Sequence, residues 1–287
     1  MPELHSLQSR IALVTGANTG IGRATALGLA RLGAKVFIAT RSAAKTQAVL
    51  DEIKAAGGQA EWLALDLGDL ASVRACAATF LEKNLPLHLL VNNAGLASAR
   101  GLTASGFELA FGTNHVGPFL LTQLLTDKLR QSVSDAAGTV RVVTVASRMH
   151  TRVKGIDWAV LRQSTPTRLG LPEYGVSKLA NVLFSAELGR RLAGTGVHSY
   201  ALHPGVVASD LWRSLGWPLR PLVKAFMLTP EQGAATTLHC ATSAAVAGQT
   251  GLYYDKCQPT RTSRAGADVA LAAELWRRSE EWVSSAS

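Results

Sequence analysis

The chain has 287 residues, 47% of them hydrophobic, and a formal net charge of +9. That apolar share excludes a disordered chain, and the length accommodates one large domain without disulfide or metal staples. The basic excess comes without a Lys/Arg cluster interleaved with aromatics, a zinc finger or an RNP-type motif, so nucleic acid is not an expected partner.

The opening "MPELHSLQSR" carries no apolar run, so neither a secretory signal nor an N-terminal anchor is expected. "RIALVTG" is short, apolar and β-branched, and reads as a strand. "IGRATALGLARLG" follows at helical spacing and stops at Gly33. "KVFIAT" is a strand, and "SAAKTQAVLDEIKAAGG" a helix with Ser42 as N-cap and Gly57-Gly58 as its stop. "AEWLAL" is a strand, "DLASVRACAATFLEK" a helix and "LHLLVNN" a strand. A long helical pattern runs from about Ser105 to Gln131, with Gly112 and Gly117 favouring a distortion. "TVRVVTVAS" is a strand, "PEYGVSKLANVLFSAEL" a helix, "HSYALHPG" a strand, and the final "SSAS" a frayed tail. Alternating strands and helices with short connections predict an α/β fold, a Rossmann-type doubly wound parallel sheet in a single domain. No stretch reaches about 18 uninterrupted apolar residues, so no transmembrane segment is expected.

Three features carry chemistry. Gly16, Gly20 and Gly22 sit between the first strand and the first helix. Glycine lets the backbone approach a phosphate closely, and a helix N-terminus offers free N–H groups to an anion. No Lys-Ser or Lys-Thr follows, so this is not a Walker A loop. Secondly, Tyr174 and Lys178 stand four apart on one helix face, bringing a phenol and an ammonium together. Thirdly, the three cysteines, Cys76, Cys240 and Cys257, are scattered, which suits a reducing, cytoplasmic setting. The histidines form no HExxH or helical pair, so no metal is expected. "SAAK" lacks the partner motifs of penicillin-binding enzymes, and no GxSxG elbow supplies a hydrolase nucleophile.

"TGANTGIG", then "NNAG" at Asn92–Gly95, then Ser147, then Tyr174-xxx-Lys178, resembles the short-chain dehydrogenase/reductase family from Arg10 to about Tyr254. "FGTNHVGPFLLT", "YGVSKLANVLFSAEL" and "YALHPGVV" resemble its retinol dehydrogenase-like branch. The resemblance implies a sheet of about seven parallel strands. It implies a cofactor-binding half over about 10–145, a catalytic and substrate-lid half over about 146–265, and a C-terminal helix and tail over about 266–287. It implies an oxidoreductase that interconverts an apolar alcohol and its aldehyde or ketone, in homodimers or homotetramers built through helices including the one bearing Tyr174.

By the same resemblance Tyr174 is the general acid/base. An adjacent Lys178 ammonium is expected to lower its pKa and to hold the nicotinamide ribose. Ser147 contacts the reacting oxygen, and Asn114 holds a water linked to Lys178. Asn18, Thr19 and Ile21 join the three glycines in the cofactor set, with Asp66 and Leu67 at the adenine. Asn93, Ala94 and Gly95 flank a ribose, and Pro204, Gly205 and Val207 lie beside the nicotinamide. The second strand ends "FIATRS", with Arg41 where an NAD-binding chain would carry a carboxylate, so NADP(H) is expected rather than NAD(H). Residues 206–228 form an apolar lid, suited to an apolar substrate, to packing or to shallow membrane contact. A non-catalytic nucleotide-binding protein and a sugar-nucleotide epimerase or dehydratase are the competing functions. The Ser147, Tyr174 and Lys178 set argues against the first, and the glycine spacing against the second.

Overall fold

The computed structural model describes residues 6–134, 140–205 and 228–284. Seven parallel strands form its sheet: β1 (Ile11–Thr15), β2 (Lys35–Thr40), β3 (Gln59–Ala64), β4 (Leu89–Asn92), β5 (Val140–Val145), β6 (Val197–His203) and β7 (Leu252–Asp255). An eighth, β8 (Gln258–Pro259), pairs antiparallel with β7, so the sheet exceeds the expected seven by one short edge strand. The order is β3-β2-β1-β4-β5-β6-β7-β8.

Neighbouring residues of one strand point to opposite faces, and the sequence supplies apolar side chains to both. Ile11 and Leu13 enter one core, and Ala12 and Val14 the other. In β2, Phe37 and Ala39 separate from Val36 and Ile38 in the same way. One face is covered by α1 (Gly20–Arg31) and α2 (Ala43–Ala55) together with α6 (Pro230–Thr242). The other is covered by α3 (Leu70–Leu81), α4 (Gly117–Gln131) and α5 (Leu171–Arg191), with α7 (Val269–Ser284) packed on α5. Ser42 and Asp69 cap α2 and α3, as the sequence predicts for Ser42.

The helix expected over Ser105–Gln131 is shorter and composite. A turn at Leu109–Phe111 leads into a π-helical stretch, Gly112–Val116, before α4 begins. The distortion that the two glycines suggest is thus a π-bulge, a form common at functional sites.

Helix α5 is enclosed on nearly every side. From Ser177 to Gly189 only Ala186 is not buried. Much of that cover comes from α7, where Trp276 stacks on Phe184 at 5.8 Å and meets Phe119 edge-on at 5.1 Å. Ser279 Oγ lies 3.0 Å from His115 Nε2, tying α7 to the π stretch. Among the described residues, no helix is long and apolar enough to cross a membrane.

Candidate active site

The strand order reverses between β1 and β4, where connections leave in opposite directions and open a crevice beyond the strand C-termini. The residues singled out from the sequence cluster there. Gly16 follows β1, Arg41 follows β2, Asn93 follows β4, Ser147 lies two beyond β5, and Pro204 follows β6.

The glycine loop is locked to the NNAG segment. Gly16 takes φ 67°, and a Cβ there would lie 2.8 Å from the Ala94 Cα. At Gly22 a Cβ would meet Gly16 O at 2.5 Å and the Ala17 Cα at 2.9 Å, so only glycine fits. Asn93 Nδ2 donates to Thr15 O at 2.8 Å, and the backbone amides of Asn93 and Ala94 both donate to Thr15 Oγ1 at 3.0 Å. Thr15 was not singled out from the sequence. Its signal there is a lone hydroxyl ending an apolar strand just before the glycines.

Thr19 is the N-cap of α1, but its side chain makes no capping bond, and the first turn carries no acidic residue. The amides of that turn, with Gly20 and Ile21, face the crevice end of the helix, an arrangement that suits an anionic diphosphate. Asn18 is half-buried beside them. Asp66 is half-buried; its Oδ1 accepts from Gly68 N at 2.9 Å, which shapes the turn after β3. Leu67 is buried, its carbonyl set against Gly117. Arg41 is exposed at the end of β2, with the uncharged Thr40 and Ser42 on either side. Pro204 and Gly205 are half-buried, Gly205 at φ 90°. Val207 and all of the expected lid over 206–228 except Leu228 lie outside the described residues.

On the other side of the crevice, Ser147, Tyr174, Lys178 and Asn114 come together. Ser147 opens a 3-10 helix, Arg148–Arg152, and its Oγ accepts from Met149 N at 3.2 Å. With that lone pair occupied, the hydroxyl proton is free to point away from the turn. Lys178 Nζ lies 5.6 Å from the Tyr174 ring centre and donates to Val145 O at 2.8 Å. The segment at Gly95 faces both Lys178 and Asn114: a Cβ there would lie 3.2 Å from Nζ and 3.3 Å from Asn114 Oδ1.

Asn114, in the π stretch, is fully buried. Its amide donates to Leu96 O and to Ser177 Oγ, both at 2.9 Å, and its Oδ1 accepts from Leu96 N at 2.8 Å. The side chain thus clips the NNAG segment to α5. Both amide hydrogens are committed, so a water held by Asn114 would donate to one of its oxygens. Ser177 is the second partner that sequence reading missed; it sits next to Lys178 and signals nothing by its type.

The electrostatics correct one expectation. The Tyr174 phenol is shifted up, not down: burial raises it, and a side-chain hydrogen bond with Ser147 only partly offsets that. Burial also lowers the Lys178 ammonium to about 7, so it is only partly charged at neutral pH. Desolvation disfavours the charged form of each group, so neither supplies the full charge that would stabilise the other's ionised form.

A glycine-lined helix N-terminus at the switch point of a parallel sheet is where α/β proteins take dinucleotides, and the side chains beside it suit proton transfer. Comparison with known proteins narrows this class. The short chain dehydrogenase profile matches residues 10–217. Retinol dehydrogenase 11 of Mus musculus is 41% identical over 276 residues, covering 94% of this chain and 85% of that protein. Dehydrogenase/reductase SDR family member 13 of Bos taurus is 42% identical over 286 residues, covering 97% and 74%. Among solved structures, an uncharacterised Mycobacterium paratuberculosis protein superposes with a TM-score of 0.77 at 33% identity, covering 98% of this chain and 96% of its own. The Pseudomonas aeruginosa RhlG/NADP active-site complex gives 0.69 at 29% identity, covering 86% and 94%.

The chain belongs to the short-chain dehydrogenase/reductase family and resembles its retinol dehydrogenase-like branch. It is an oxidoreductase of a family that binds nicotinamide cofactors.

Proposed function

We propose that the protein is an NADP(H)-dependent oxidoreductase that interconverts an apolar alcohol and its aldehyde or ketone, with Tyr174 as general acid/base. The observation that carries this reading is the meeting of Ser147, Tyr174 and Lys178 at the crevice that the glycine loop opens. Gly16, Asn18, Thr19, Gly20, Ile21 and Gly22 would hold the diphosphate, Asp66 and Leu67 the adenine, and Asn93, Ala94 and Gly95 a ribose. Pro204 and Gly205 would border the nicotinamide. When bound, the dinucleotide supplies or accepts the hydride.

In the reductive direction Tyr174 donates its phenolic proton to the substrate oxygen; in the oxidative direction it takes that proton back. The raised phenol stays protonated at neutral pH, which suits the donor role. The Ser147 hydroxyl, hydrogen-bonded to the Tyr174 phenol, would turn its O–H to the substrate oxygen and steady the charge developing there. Lys178, held by Val145 O, stands within reach of a ribose beside Gly95. Arg41 would grip a 2′-phosphate, a charge-assisted contact worth about 1.5–3 kcal/mol.

The apolar substrate rests on two exposed leucines beside the site. Leu102 and Leu169 are 48% and 53% exposed. They lie on two loops that meet where Gly170 approaches Ala99 O and Thr165 Oγ1 accepts from Gly101 N, one turn ahead of Tyr174. Retinoids are tested first because relatives of this chain are named retinol dehydrogenases. Cys76, Cys240 and Cys257 are free thiols, which supports a reducing setting for the protein.

The test is oxidation of NADPH and NADH by the purified protein over a panel of retinoid, aliphatic, aromatic and steroid carbonyl compounds. Turnover with NADPH and an apolar member is expected. A folded protein that binds NADPH yet turns over no member would overturn the proposal.

A further inference from the structure

His150 lies three residues after Ser147 in the 3-10 helix and is fully buried. Its Nδ1 is 2.6 Å from the Ser147 carbonyl oxygen, which also accepts from His150 N at 3.2 Å. On its other edge, Nε2 faces the backbone amide of Ser263 at 3.4 Å. An amide can only donate, so Nε2 is the acceptor and Nδ1 carries the hydrogen. Burial favours this neutral ring. The ring face packs edge-on against Tyr253 of β7 at 4.9 Å.

These contacts fix Ser147 from both sides. Ala146 N donates to Leu202 O at 2.8 Å, anchoring the peptide to β6, and His150 holds the following carbonyl. The same 3-10 helix is wedged against the start of α5: a Cβ at Gly175 would meet Val153 Cγ2 at 2.8 Å and Met149 O at 3.3 Å. Any rotation of the Ser147 peptide would thus shift its hydroxyl relative to Tyr174.

We infer that His150 is a positioning residue for the reaction: its Nδ1–H bond to the Ser147 carbonyl sets the distance between the Ser147 hydroxyl and Tyr174, and its Nε2 recruits the Ser263 segment as a buttress. The inference rests on the oxidoreductase reading above. Misplacement of reacting groups by about 1 Å costs on the order of a hundredfold in rate.

Three variants separate positioning from packing. His150→Asn keeps a donor near the Nδ1 position, His150→Gln reaches only toward Ser263, and His150→Phe keeps the ring contact with Tyr253 but no hydrogen bond. Steady-state kinetics with NADPH and the best panel substrate, and thermal unfolding of each variant, are measured together. In His150→Phe and His150→Gln, kcat is expected to fall about 10- to 100-fold with KM changed less than about threefold. His150→Asn is expected to recover most of that loss. In the 15N-histidine spectrum of the wild type, the resonance pair lost in these variants should show a protonated Nδ1 and an unprotonated Nε2.

Wild-type kcat in a folded His150→Phe would overturn the inference, as would the opposite tautomer, or losses that follow Tm in all three variants alike. Absence of turnover in the wild type would instead refute the oxidoreductase reading. If His150→Phe does not fold, His150→Gln against His150→Asn decides the point alone.

Discussion

Lys178 offers a stability measurement that needs no substrate. Its ammonium is 3% exposed, meets one carbonyl oxygen, Val145 O, and has its pKa lowered from 10.5 to about 7 by burial. In the unfolded chain the same group stays protonated throughout pH 6–9. Above about pH 7 the unfolded state therefore binds more protons than the folded state, and stability rises with pH. Below pH 7 both states are charged and the full burial penalty is present. Between pH 6 and 9 the cofactor-free protein should gain about 2–3 kcal/mol from this group. For a domain of this size that is roughly 5 °C in Tm.

Other groups titrate over the same range, so the comparison is with Lys178→Met. Its thioether fills similar space, and Val145 O still accepts from Asn181 Nδ2 at 3.2 Å. Urea unfolding of both proteins at pH 6, 7, 8 and 9 gives a difference curve in which the shared groups cancel. The variant should be the more stable at pH 6, and its advantage should shrink by about 2–3 kcal/mol by pH 9. A difference constant across the range would show that Lys178 titrates near its ordinary value and that its burial does not govern its charge.

Tyr174→Phe should lower kcat about 10²- to 10⁴-fold while calorimetric NADPH binding stays near wild type, since one proton is lost with little change of shape; near-normal turnover would remove Tyr174 from the mechanism. Arg41→Asp should reduce the NADPH-over-NADH ratio of kcat/KM at least about tenfold, and an unchanged ratio would make Arg41 a solvated charge. Gly22→Ala should cost about 1–3 kcal/mol in urea unfolding and weaken dinucleotide binding, because the new methyl meets backbone at Gly16 O and Ala17; wild-type behaviour in both assays would contradict the close approach. His115 and His203 are lowered by burial to about 3 and about 4, so each binds a proton when unfolded but not when folded. Stability should fall as pH drops below 6.5, by about 2 kcal/mol per ring at pH 5, and a urea midpoint that does not move between pH 7 and 5 would contradict this.

Local pattern was enough to show the layered α/β plan. Strands such as "KVFIAT" carry apolar residues at both parities, which demands cover on both faces, and Ser42 and the Gly57-Gly58 pair marked the ends of α2. The glycine loop and the Tyr174–Lys178 pair were legible because each lies within a few residues of chain. The β7–β8 hairpin was not legible: its turn places Lys256 and Cys257 at positive φ, where a sequence signal would have been Asn-Gly.

What the tertiary structure decided are the contacts between distant segments and the energies that follow from burial. Thr15 clasps Asn93 and Ala94, Asn114 clips Leu96 to Ser177, and Ser279 of the last helix reaches His115. No periodicity records such pairs, since each residue type is ordinary in its own element. The sequence placed a phenol beside an ammonium and so suggested a lowered phenol. Packing removed water from both groups, and desolvation, which only the assembled core can impose, raised Tyr174 and lowered Lys178 instead.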